Sequence, residues 1–247
     1  MREERYTICA CSSRTFIPKS RIVELVARLR CQGLSVRLVA DLCRLIERDD
    51  ESLSAIAAST IIACYPRAIE ALFASRGLTP ARVMDMRSFE WDAILRDLGF
   101  EAIPDEALYL AEKARAEAEF NAQPIEVGHD AWFPVIDRSR CVDCGQCHDF
   151  CLFGVYAREA GQVRVVAPDR CKNNCPACAR VCPERAIIFP KYSKSPINGG
   201  LEDEENLSGL DAKSLYAEAL RTRLRQRRAS VSLLGGQPEK EGGARDE

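Results

Sequence analysis

The sequence predicts an α/β domain with a parallel sheet over residues 1–87, a helical connector over 88–130, a small α+β module over 131–192 and a polar tail over 193–247. Three observations carry this reading. Short β-rich runs alternate with amphipathic helical segments as far as residue 87, the pattern that gives a parallel sheet. A stretch of helical spacing rich in alanine and glutamate then follows without a strand. Finally, eight of the thirteen cysteines fall between Cys141 and Cys182.

The first strand is expected at Tyr6-Thr-Ile-Cys-Ala, followed after Pro18 by a helix that repeats Ile22, Leu25, Val26 and Leu29 at helical spacing. A second strand reads from Ser35 to Ala40. Asp49 or Asp50 is placed to cap a short helix through Leu53, Ile56 and Ala57. The third strand is Thr60-Ile-Ile-Ala-Cys. Pro66 suits the first turn of a helix bearing Ile69, Leu72 and Phe73, which Gly77 ends ahead of a fourth strand at Arg82-Val-Met-Asp-Met.

Two helices make up the connector, one around Phe89, Trp91, Ile94, Leu95 and Leu98, the other from Asp105 to about Phe120. Pro124 and Gly128 mark a boundary before the cysteine-rich module. In the tail, one helix is expected from Asp211 to Arg228, with Tyr216, Leu220 and Leu224 on an apolar stripe and several arginines opposite. Such a helix suits either a partner surface or its own protein.

Thirty-five basic against thirty-seven acidic residues, a net charge of −2, give no global attraction to nucleic acid or to an anionic membrane. No apolar run reaches the length of a membrane span, and the start, Met1-Arg-Glu-Glu-Arg-Tyr, has neither an apolar leader core nor a twin-arginine address. A soluble, cytoplasmic protein is expected. In a reducing compartment, crowded cysteines point to metal or redox chemistry before disulfides.

The first cysteine motif is Cys141-x2-Cys144-x2-Cys147-x3-Cys151 and the second is Cys171-x3-Cys175-x2-Cys178-x3-Cys182-Pro183. Three closely spaced thiolates on one tight loop can occupy three corners of an iron–sulfur cubane, with the fourth ligand arriving from elsewhere. Zinc also accepts four thiolates, though its structural sites draw them as separated pairs.

Both motifs resemble the bacterial dicluster ferredoxin signature. That resemblance implies two [4Fe–4S] clusters, one on Cys141, Cys144, Cys147 and Cys182, the other on Cys171, Cys175, Cys178 and Cys151. Val155-Tyr156 and Ala186-Ile187-Ile188 follow the two fourth cysteines and are expected to wall the clusters. Two departures stand out: Leu152 replaces the usual proline, and the second motif has three residues between its first two cysteines. The longer spacing alters the loop that offers N–H groups to sulfur. His148, inside the first motif, is read as a neighbour of the site or an exposed residue, and Phe150, Phe153, Tyr156 and Phe189 as packing.

Four more cysteines lie at the carboxyl ends of the expected strands: Cys9 and Cys11 after the first, Cys43 after the second and Cys64 after the third. Parallel sheets place their sites at that edge. Four thiols converging there can hold a third [4Fe–4S] cluster, or can simply be small buried residues. Cys31 fits neither pattern and is read as packing. Cys9-x-Cys11-Ser, Leu42-Cys43 and Ala63-Cys64-Tyr-Pro-Arg67, with Glu70 and Phe73, resemble the N-terminal region of the heterodisulfide reductase A subunit, over about residues 5 to 87. The resemblance implies that this region can carry an iron–sulfur cluster beside a flavin domain. No G-x-G-x-x-G is present, so no flavin site is visible.

The functional expectation is an iron–sulfur electron-transfer protein or adaptor subunit passing single electrons between oxidoreductases, flavin-containing ones included, with no catalytic residues of its own. The alternatives are a non-catalytic subunit of a heterodisulfide-reductase-like complex and a redox- or iron-sensing regulator.

Overall fold

In a computed structural model, residues 5–11, 17–87, 95–96, 98–99, 103, 105–123 and 131–200 are described. The expected helix around Phe89 to Leu98 and the helix from Asp211 to Arg228 lie wholly or largely outside these residues.

Four strands, β1 (Arg5–Cys9), β2 (Ser35–Val39), β3 (Thr60–Ala63) and β4 (Arg82–Asp85), pair in parallel in the order β2-β1-β3-β4. Their side chains alternate between two apolar layers, as the two-residue period of a strand demands. Ile8, Leu38 and Ile62 face α1 (Lys19–Cys31), meeting Ile22, Leu25, Val26 and Leu29. Cys9, Val39, Ile61 and Ala63 face the opposite layer, built from α2 (Leu42–Glu47), α3 (Leu53–Ala57) and α4 (Pro66–Ala74).

The turn chemistry is local. Gly33, at φ 78°, ends α1 with its N–H donated to the Arg30 carbonyl. The Asp50 carboxylate accepts from the N–H and hydroxyl of Ser52 ahead of α3. Pro66 opens α4. Helix α2 is an element the strand-and-helix reading did not contain: Asp41 starts it by accepting N–H bonds from Cys43 and Arg44. Helix α5 (Glu106–Ala122), capped the same way by Asp105, packs along α1 and is tied to it by Lys19–Glu117 and Arg30–Glu119 ion pairs.

The cysteine-rich part is bracketed by β5 (Val135–Ile136) and β8 (Ile187–Ile188), which pair antiparallel. Between them lie α6 (Gln146–Phe150), a hairpin of β6 (Tyr156–Glu159) and β7 (Gln162–Val165), and α7 (Ala177–Arg180). The β5–β8 ribbon is a shared wall. Val135 and Ile188 join the core layer that holds Cys9, Cys11, Cys43 and Cys64, while Ile136 and Ile187 join the core that holds Cys147 and Cys178.

Further contacts lock the two parts together. The Arg67 guanidinium pairs with Asp137 at 2.6 Å and donates to the Arg185 and Pro196 carbonyls. Residues 193–200, placed with the polar tail from sequence, are drawn into this junction: Asn198 donates to the Tyr65 hydroxyl, and Ser195, Ile197 and Asn198 are buried. Small and amide-bearing side chains make this physically reasonable, since their polar groups are met by neighbours instead of by water.

Candidate metal centres

Three groups of thiols are brought together. The first lines a cleft with Cys141, Cys144, Cys147 and Cys182, joined by Gly145, Ala186 and Ile187. The second lines a cleft with Cys151, Cys171, Cys175 and Cys178, joined by Pro134, Phe150, Val155 and Tyr156. Each group therefore takes three cysteines from one motif and one from the other. The two short helices explain this crossing. Cys147 lies in α6 and Cys151 caps its end, while Cys178 lies in α7 and Cys182 follows it. One helical turn, a rise of about 5–6 Å, carries the chain from one cleft to the next.

The loops are shaped for thiol presentation. Gly145 stands at φ 82° at the start of α6, a left-handed conformation that a side chain would strain. Asp143 holds the loop from below, accepting from the Val163 N–H at 2.9 Å and from Arg138 at 3.1 Å. Donors reach the sulfurs directly, among them the Ala186 N–H to Cys182 Sγ at 3.3 Å and the Tyr156 hydroxyl to Cys178 Sγ at 3.1 Å. Burial, followed by the neighbouring Cys182, Cys141 and Cys144, pushes the Cys147 thiol up to about 12. Burial, with Cys175 and Cys151 beside it, does the same to Cys171. Ionising these thiols is costly without a compensating positive charge, and any metal they bind must displace their protons.

The third group is at the switch point of the sheet, where the chain leaves β1 toward β2 on one side and β3 lies on the other. Cys9, Cys11, Cys43 and Cys64 are all buried there in one core layer. Burial first, then Cys11 and Asp41, lifts the Cys9 thiol to about 12, and burial likewise raises Cys43 and Cys64, each of which also feels Cys11. The Leu42 N–H donates to Cys9 Sγ at 3.4 Å. Among the described residues, no group of three or more His, Cys, Asp or Glu is set to hold a single metal ion.

Cys31 is buried away from these sites and donates to the Arg28 carbonyl. His148 is partly exposed beside Asp149, at 2.8 Å. Two residues at the third group had escaped the reading of the sequence. Asp41 carried a legible signal, as an acidic residue just ahead of a helix. Lys191 carried none, because it meets Asp41 at 2.6 Å across 150 positions of chain.

The model of the 4Fe-4S binding domain family matches residues 133–156, which includes all of the first motif. Two uncharacterized ferredoxins of Methanocaldococcus jannaschii are similar to this chain. One is 49% identical over 61 residues, 24% of this chain and 42% of that protein. The other is 35% identical over 58 residues, 22% of this chain and 74% of that protein. The chain thus spans less than half the length of the first of these relatives. Among the described residues no helix is long and apolar enough to cross a membrane.

Proposed function

We propose, from the premise that this chain belongs to the ferredoxins and is an iron–sulfur electron-transfer protein through its 4Fe–4S binding domain, that it carries two crossed [4Fe–4S] clusters and a third in its N-terminal α/β domain. Cys141, Cys144, Cys147 and Cys182 would hold one cluster, and Cys171, Cys175, Cys178 and Cys151 the next. The observation that carries this is the make-up of the two clefts, each lined by one motif's triplet together with the other motif's fourth cysteine. Cys9, Cys11, Cys43 and Cys64 would hold the third, a reading supported by their burial in one layer at the carboxyl edge of the sheet.

When bound, such clusters supply one-electron oxidation and reduction. The remaining work belongs to the chain. Val155, Tyr156, Ile187 and Phe189 exclude water from the cysteine core, and the hydrogen bonds from Ala186 and Tyr156 would disperse charge on the sulfurs they reach. The protein then acts as an adaptor, taking single electrons from one redox partner and giving them to another. The four converging N-terminal thiols also favour a second reading, in which the chain is a non-catalytic subunit of a heterodisulfide-reductase-like complex with flavin on another chain. Under either reading, Cys64→Ser in the full chain is expected to lose about a third of the iron and leave the spectrum of the ferredoxin pair intact. Unchanged iron content would remove the third cluster from the account.

A further inference from the structure

Lys191 is one of the largest fully buried side chains of the molecule, with 2% of its surface exposed. It enters the N-terminal domain from the chain segment just after β8, beyond the last cysteine of the second motif. Its ammonium lies 2.6 Å from the Asp41 carboxylate and 3.6 Å from Cys11 Sγ. Asp41 in turn uses its other oxygen to cap α2, the helix that carries Cys43. A buried ion pair is costly to desolvate and is a poor device for stability alone. Here it stands inside a group of four thiols, where a fixed cation in a low-dielectric setting acts strongly on any negative charge.

We infer that Lys191 is a positioning residue that supplies the fixed counter-charge of the N-terminal thiol site, so that docking of the cysteine-rich module sets how easily that site accepts an electron. The inference rests on the proposed third cluster. Four thiolates leave a cubane net negative, and reduction adds one electron and one further negative charge. A cation held beside Cys11 stabilises the reduced form more than the oxidised form and raises the potential. Asp41, beside the same sulfurs, opposes it. The site is therefore assembled from two parts of the chain: thiols from the sheet and charge from the module.

The test is a redox titration of the anaerobically purified full chain, followed by electron paramagnetic resonance, with Cys64→Ser used to assign the N-terminal signal. Lys191→Met is expected to move that signal to lower potential and leave the other two in place. Asp41→Asn, which keeps the cap of α2 and removes the opposing negative charge, is expected to move it upward. An unmoved N-terminal signal in Lys191→Met, or an equal shift of all signals, overturns the inference while leaving the third cluster standing. If Lys191→Met sheds the N-terminal iron, Lys191→Arg decides: iron and potential kept by the retained cation support the role, and loss of both ends it. Wild-type protein holding only about eight irons removes the third cluster, and the role of Lys191 with it.

Discussion

At the scale of single residues, the thiols dictate how the protein responds to pH. In protein stripped of iron, the folded state holds the Cys9 and Cys147 protons up to about 12, against an ordinary value of 9.0. Folding therefore favours the protonated form, so this contribution to stability is complete below pH 9 and is lost as pH rises from 9 toward 12. Chemical denaturation of the iron-free chain at pH 7.5 and pH 10.5 is expected to show lower stability at the higher pH, and equal midpoints would contradict it. Tyr156 offers a second residue-level test. Removing its hydroxyl in Tyr156→Phe takes one hydrogen bond from Cys178 Sγ, and the cluster of that cleft is expected to fall in potential while its neighbour does not. Titration of both signals reads the difference. The cysteines of these clefts were legible from spacing, since a triplet on a tight loop is a local pattern. The pairing of Lys191 with Asp41 was not, because it arises only when two distant segments pack.

At the scale of elements, the cluster loops depend on backbone conformations that few residues accept. Gly145 is left-handed at φ 82°, and a Cβ there would also meet the Arg158 guanidinium. Gly145→Ala is expected to cost about 1–2 kcal/mol and to lower iron retention during dilution, both measurable on the same preparation. The junction between the two parts relies on Arg67 and Asp137. Burial alone would raise the Asp137 carboxyl, but hydrogen bonds from Ser139 and Arg67 outweigh it and hold the group below its ordinary 3.8. The stability this provides is present above the unfolded value and is lost as pH falls through the lower, folded value. Arg67→Ala is expected to destabilise the junction by about 2 kcal/mol, the scale of a hydrogen bond to a charged group, because Ser139 and Arg140 still meet the carboxylate; hydrogen exchange across β5 and β8 would report the opening. The strands and the longer helices were readable from periodicity and turn residues. Helix α2 was missed although its Asp41 cap was in view; it follows β2 with only Ala40 and Asp41 between them.

At the scale of the whole molecule, the order β2-β1-β3-β4 places a switch point where Cys9, Cys11 and Cys64 leave the sheet. The β5–β8 ribbon then closes that layer and opens the next, with Val135 and Ile188 turned one way and Ile136 and Ile187 the other. Alternating strands and helices foretold the parallel sheet, but nothing local foretold that the module would share a core layer with it. That packing comes from single buried residues such as Phe133 and Lys191, which carry no periodic signal. The whole arrangement brings three thiol groups into one folded body.

The most direct test of this account is the iron and acid-labile sulfide content of anaerobically purified full-length protein, read with electron paramagnetic resonance after dithionite reduction. About twelve irons and twelve sulfides per chain, with reduced-cluster signals, is the predicted result, and about eight of each would leave only the ferredoxin pair. Zinc without sulfide would contradict the account at its centre.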